Sequence, residues 1–186
     1  AYILGFLYAD GYVDEKKHVL QVGLQKKDIE ILKFIKSELQ TSSEILIKEK
    51  HVHLNINSAI LVNDLSRHGC TQCKTFTLRF PDFLGQGLLS HFIRGYFDGD
   101  GCIHDQNKGA GRTISLIGNI NFIDSLKTHL HNVLGTDKIY TRYYRKCDDK
   151  ICEARIFNKQ DVQKFKDYIY KNNCFCLQRK LDKFKI

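Results

Sequence analysis

Two aspartates half a chain apart close nearly the same nine-residue phrase. Ile3-Leu-Gly-Phe-Leu-Tyr-Ala-Asp-Gly11 recurs as Ile93-Arg-Gly-Tyr-Phe-Asp-Gly-Asp-Gly101, so Asp10 and Asp100 occupy matching places. Each phrase predicts a helix with small residues at i and i+4: Gly5 with Ala9, and Gly95 with Gly99. That spacing gives each helix a smooth face on which another can approach closely. Glycine inside a helix costs about 1 kcal/mol against alanine, and close contact is the natural compensation. Gly11 and Gly101 are expected to end the two helices as left-handed caps. Asp10 and Asp100 would then stand at helix C-termini, the wrong pole for a carboxylate, and face each other. Acids so crowded require a positive partner. A hard divalent cation, Mg²⁺ or Mn²⁺, takes carboxylate and water oxygens and suits the place.

The segments after each phrase must position these acids. His18–Gln25 alternates Leu20, Val22 and Leu24 with Gln21, Gly23 and Gln25, the period of a half-buried strand. Asp28–Leu39 sets Ile31, Leu32, Ile35 and Leu39 at helical spacing. Glu44–Lys50 and His51–Asn57 read as a strand pair, and Ser58–Arg67 as a helix with Ser58 its N-cap. The order then repeats: strand Arg112–Ile117, helix Asn119–Leu134, strands Lys138–Lys146 and Ile151–Phe157, helix Asp161–Tyr170. A short strand should come directly after each phrase, near Tyr12–Val13 and Cys102–Gln106. The expected class is α+β, with two pseudo-symmetric αββαββα halves. They are assigned to residues 1–80 and 88–186, joined by a linker at 81–87 that holds Pro81, Gly85 and Gly87.

Composition narrows the partners. The chain has 186 residues, 29 Lys+Arg against 21 Asp+Glu, a net charge of +8 and 42% hydrophobic residues, which excludes a disordered chain and favours nucleic acid as partner. The longest apolar run, Ala1–Ala9, is far short of the ~20 residues of a membrane span, and no secretory signal is read before it. Seven cysteines, an odd set, read as reduced thiols of an intracellular protein, in a prokaryotic cytoplasm or an organelle. Cys70-x-x-Cys73 and Cys174-x-Cys176 could together offer four zinc ligands, but their separation favours free thiols.

The two phrases resemble the LAGLIDADG motif, and the chain resembles a monomeric, two-motif LAGLIDADG homing endonuclease along nearly its whole length. The resemblance implies a saddle of antiparallel strands with the motif helices packed at its centre. It further implies an intron-encoded enzyme that binds a long, specific double-stranded DNA site. Such an enzyme hydrolyses both strands across the minor groove with divalent metal. The last acid of each motif, Asp10 or Asp100, would be the metal ligand. Gln25 with Lys26 matches a Gln-Lys that orders active-site water, while the second half shows only Leu116-Ile117-Gly118 there. Lys74 and Lys180 match lysines placed near each metal, with Arg179 and Lys159 as competitors of Lys180. Two departures stand out. The motif's earlier acid is Asp98 in one copy and Tyr8 in the other, so Asp98 reads as structural or solvated. Arg94 intrudes near the start of the second motif, toward DNA or a neighbour.

The outward strand residues are polar, basic and aromatic. In the first half they are Gln21, Lys48, Lys50, His51, His53 and Asn55, beside Lys26. In the second they are Arg112, Ser115, Tyr140, Arg142, Tyr144, Lys146 and Arg155, with Glu153 among them. Such groups bond base edges in the major groove and phosphates alike. A second reading keeps the fold without cutting, as a DNA-binding regulator or an RNA maturase. Relatives of that kind often lose a motif acid, whereas both are present here. An insert within an intein and an unrelated basic protein with a chance repeat complete the alternatives.

Overall fold

The first motif folds as helix α1 (Tyr2–Asp10) and the second as the end of α4 (Gln86–Asp100), which starts inside the expected linker. The structure, a computed structural model, describes residues 1–105, 111–144, 150–171 and 174–184. The two helices cross through their glycines. A Cβ on Gly5 would lie 2.0 Å from the Phe92 carbonyl oxygen, and one on Gly95 2.0 Å from that of Tyr2. A Cβ on Gly99 would meet the Ala9 methyl at 2.3 Å. Backbone touches backbone here, as the small-residue spacing predicts.

The caps differ from expectation. Gly11 (φ −77°, ψ 141°) and Gly101 (φ −71°, ψ 147°) are extended, not left-handed, because each helix runs straight into a strand. Glycine is needed there for room. A Cβ on Gly11 would fall 2.7 Å from Leu7 O, and one on Gly101 2.1 Å from the Phe97 ring.

Those strands are β1 (Gly11–Asp14) and β5 (Cys102–Asp105). Each opens a four-stranded antiparallel sheet, β1-β2-β4-β3 and β5-β6-β8-β7. The first is completed by β2 (Val19–Gln25), β3 (Ile45–Ile47) and β4 (His51–Asn57), the second by β6 (Arg112–Asn119), β7 (Tyr140–Tyr143) and β8 (Ile151–Ile156). The edge strands β3 and β7 are shorter than their patterns suggest, and the predicted ends at Gln106 and Lys146 lie outside the described residues. Period two holds in β2 and β4, where Leu20, Val22, Leu24, Val52, Leu54 and Ile56 are buried. Against these inner faces pack α2 (Ile29–Glu38), α3 (Ala59–Arg67), α5 (Ile120–Leu134) and α6 (Lys159–Ile169), followed by a short α7 (Gln178–Asp182). Ser58 caps α3 as expected, accepting from Leu61 N at 3.2 Å. The architecture is thus the expected α+β arrangement of two αββαββα halves around two antiparallel sheets.

Arg94 and Asp98 tie α4 to the C-terminal segment. Arg94, 3% exposed, donates to the carbonyls of Phe175 (3.0 Å) and Ile169 (2.9 Å), so it serves a neighbour. Asp98 is buried and accepts from Tyr2 Oη (2.7 Å), Tyr170 Oη (3.2 Å) and Leu177 N (2.7 Å). A buried carboxylate is tolerated only with such donors. Asp98 is structural. Tyr8, its counterpart in α1, donates its hydroxyl to the His68 carbonyl.

Candidate active site

Asp10 and Asp100 end α1 and α4 side by side where the helices meet. A Cβ on Gly99 would stand 3.2 Å from Asp10 Oδ2, so the first acid leans over the second motif. Among the described residues, no hydrogen bond or ion pair engages either carboxylate. Burial, then the Asp10 charge, pushes the Asp100 carboxyl up to about 6. Burial also raises Asp10, opposed by the ammonium groups of Lys180 and Lys74. Both residues nevertheless keep an exposed surface, so they are somewhat harder to ionise than free carboxylates and remain open to a cation from solvent.

Two lysines reach this place along equivalent paths. Lys74, in a 3₁₀ turn at Lys74–Phe76, donates to the Gly11 carbonyl that closes the first motif. Lys180, on α7, donates to the Gly101 carbonyl closing the second at 2.6 Å, and to Phe97 O (2.6 Å) and Gly99 O (3.0 Å). Each lysine thus supplies positive charge at a helix C-terminus, where the dipole is negative. Burial lowers Lys74 and brings Lys180 down to about 8. The competitors of Lys180 lie elsewhere. Arg179 is held by Asp28, and Lys159 lines a separate groove with Arg112 and Lys164.

Lys74 and Asp100 share a cavity of about 160 Å³ with Tyr96, Gly118 and Asn119. Gln25 is not in it. It sits exposed at the end of β2, in an open groove with Lys26, Lys27, Lys50 and His51. Register identifies its counterpart, which the sequence did not show. Gln25 pairs with His51 and Asn119 with Ile151, at the same place in the two sheets. Asn119 is buried, caps α5 by accepting from Phe122 N at 3.0 Å, and donates to Thr75 O and Leu78 O. The two halves of the site are chemically unequal.

On the first sheet Gln21, Lys26, Lys48, Lys50 and His51 are exposed, and His53 and Asn55 half-buried. The second sheet is different. Ser115 is only 4% exposed, because in register it lies between Cys102 and the long side chain of Arg155, so it offers little to a ligand. Glu153, also buried, gathers Arg142 (3.6 Å), Arg155 (3.4 Å) and Tyr144 Oη (3.0 Å). Arg112 pairs with Asp105. Tyr140 is exposed and stacks on Phe157, and Lys146 lies outside the described residues. The thiols described are free, and among the described residues no three His, Cys, Asp or Glu side chains form a metal-binding group. Asp10 and Asp100 could still hold a hard cation, whose remaining oxygens would come from water or a substrate phosphate.

Residues 88–170 match the family model of the LAGLIDADG-like domain. The whole chain shares its fold with solved LAGLIDADG proteins. One is the LAGLIDADG homing endonuclease I-GzeII in complex with DNA target, 13% identical, with a TM-score of 0.63 over 99% of this chain and 86% of that one. The LAGLIDADG meganuclease I-AabMI bound to uncleaved DNA is 15% identical, with a TM-score of 0.60 over 98% and 87%. Meganuclease I-SmaMI, bound to uncleaveable DNA, is 13% identical, with a TM-score of 0.59 over 95% and 85%. No curated protein matches the chain in sequence. Asp100 lies within the matched residues, and Asp10 is its counterpart in the internal repeat. Among the described residues, no helix is long and apolar enough to cross a membrane.

Proposed function

We propose that the chain is a sequence-specific endonuclease of double-stranded DNA that uses a divalent cation, Mg²⁺ or Mn²⁺. One observation carries this: two carboxylates without a bonded partner among the described residues meet at the ends of crossed motif helices, one motif end backed by the half-buried Lys74 and the other by the buried Lys180. Oxygen donors of this kind, both raised in pKa by desolvation and Asp100 also by the Asp10 charge, fit a hard cation. When bound, such a cation activates water and stabilises charge developing on a phosphodiester.

The chain's own groups supply the rest. Asp10 and Asp100 hold the metal; Lys74, with one N–H on Gly11, has donors left for an oxyanion at one scissile phosphate, and Lys180, with its three N–H on carbonyls, supplies positive charge beside the other. Gln25 orders the attacking water on one side, where Asn119 has no free polar atom to offer. The exposed lysines and His51 on the first sheet, with Arg142 and Tyr140 on the second, bind phosphates and bases. Affinity should therefore fall steeply with salt. The DNA site is long, the protein acts as an intracellular monomer, and its two halves, 1–80 and 88–186, each attend one strand.

The test is cleavage of a bound target with Mg²⁺ and with EDTA. Breaks in both strands only with Mg²⁺ support the reading. Binding without breaks moves the chain to a non-cleaving DNA-binding regulator or an RNA maturase on the same fold.

A further inference from the structure

Each lysine-bearing segment is fastened to the opposite half of the molecule, and by the same device. The helix that follows the second strand of each half begins at an N-cap residue: Asp28 for α2 and Asn119 for α5. Aspartate at such a position ordinarily caps its own helix. Asp28 makes no cap bond. Its buried carboxylate instead takes a two-pronged grip from Arg179, with Nε to Oδ1 at 2.7 Å and Nη2 to Oδ2 at 2.8 Å. Arg179 immediately precedes Lys180, and Asp28 follows Gln25 by three residues. On the other side, Asn119 Nδ2 donates to Thr75 O at 3.1 Å and Leu78 O at 2.9 Å, bracketing the turn that carries Lys74.

We infer that Asp28 and Asn119 are positioning residues, reciprocal latches that set the two lysines against the motif ends. The inference rests on the endonuclease reading and deepens it. Paired charges in a planar, bidentate contact fix direction as well as distance, which a single ammonium contact does not. The Arg179–Asp28 grip fixes the backbone beside Lys180, whose ammonium must find three carbonyls at once. The Asn119 bonds fix the turn from which Lys74 reaches Gly11. Among the described residues neither latch side chain hydrogen-bonds Asp10 or Asp100, although the Asp28 charge raises the Asp10 carboxyl. Each works on one lysine only, so each should govern one strand of the DNA.

Strand-resolved cleavage of a supercoiled plasmid carrying the target separates this role from a merely structural one. A variant that is only less folded loses both cuts in proportion. Asp28→Asn should slow one strand roughly 10-fold or more and leave the other within about 2-fold, so that nicked circles accumulate. Asn119→Ala should slow the opposite strand. The charge-reversed pair Asp28→Arg with Arg179→Asp should recover most of the lost rate, and binding of target DNA in EDTA should stay within about 2-fold throughout. Equal slowing of both strands, or no slowing in a folded Asp28→Asn variant, overturns the inference while the wild-type protein still linearises the plasmid. If the wild-type protein binds the target and cuts neither strand, the endonuclease reading fails and the inference falls with it.

Discussion

Lys180 and Gly101 are joined by a 2.6 Å hydrogen bond from ammonium to carbonyl, and Lys74 makes the corresponding bond to Gly11. The internal repeat therefore extends beyond the motif helices to the cations that serve them. Removing either ammonium leaves motif-end carbonyls without their donor and the adjacent carboxylate without its nearby positive charge. Lys74→Met and Lys180→Met should each slow cleavage by about 100-fold while DNA affinity changes little. Single-turnover rates beside equilibrium binding would check this.

Asp10→Asn and Asp100→Asn should each abolish double-strand cutting and spare DNA binding. Neither carboxylate holds up the fold, since among the described residues neither accepts a bond. Neutralising Asp10 also removes a charge that raises Asp100. Both variants should accordingly melt at or above the wild-type temperature in EDTA, by thermal denaturation at neutral pH.

The pH dependence of stability is set in part by Asp100. Its folded pKa, about 6, lies above the carboxylate's ordinary value of 3.8. Between these values the folded protein binds more protons than the unfolded chain, so this contribution is present in full below pH ~4 and is lost as pH rises through about 6. Asp100→Asn should flatten that part of the profile. Mg²⁺ competes with the same protons, so it should raise the melting temperature at pH 7.5 and hardly at pH 5.

Gly5 and Gly95 offer a packing test. A methyl at either would sit 2.0 Å from a carbonyl oxygen of the opposite helix. The helix-propensity gain of Gly→Ala, about 1 kcal/mol, cannot offset this. Either substitution should cost about 3 kcal/mol in denaturant unfolding, by forcing α1 and α4 apart.

Glu153 is an acid within an otherwise cationic and polar face, and it restrains Arg142, Arg155 and Tyr144. Glu153→Gln should free those groups for phosphates. Affinity for random DNA should rise, its salt dependence should steepen, and the preference for the true target should narrow. Titrations of both DNAs at several salt concentrations read all three.

Much of the fold was legible because repetition and period report backbone geometry. The bounds of β4 and the cap at Ser58 followed from alternation and from one hydroxyl before an apolar helix. The small-residue spacing located the helix crossing. The reason for Gly11 and Gly101 was not legible. A glycine satisfies either a left-handed turn or a tight approach, and only the neighbouring Leu7 and Phe97 distinguish them. Asn119 escaped notice because its equivalence to Gln25 is a fact of strand register, not of residue type. Asp28 with Arg179 and Glu153 with Arg142 escaped for a related reason. Their partners lie across the chain or across a sheet, where sequence spacing carries no signal.

The most direct test of the central claim is incubation with a plasmid library of randomised and intron-insertion sites, with Mg²⁺ or EDTA, followed by sequencing of the ends. The pairing of Asp10 with Asp100 as a metal-holding centre predicts double-strand breaks at one discrete sequence, present with Mg²⁺ and absent with EDTA. A sequence that the protein protects but never breaks, at any Mg²⁺ concentration, would contradict it.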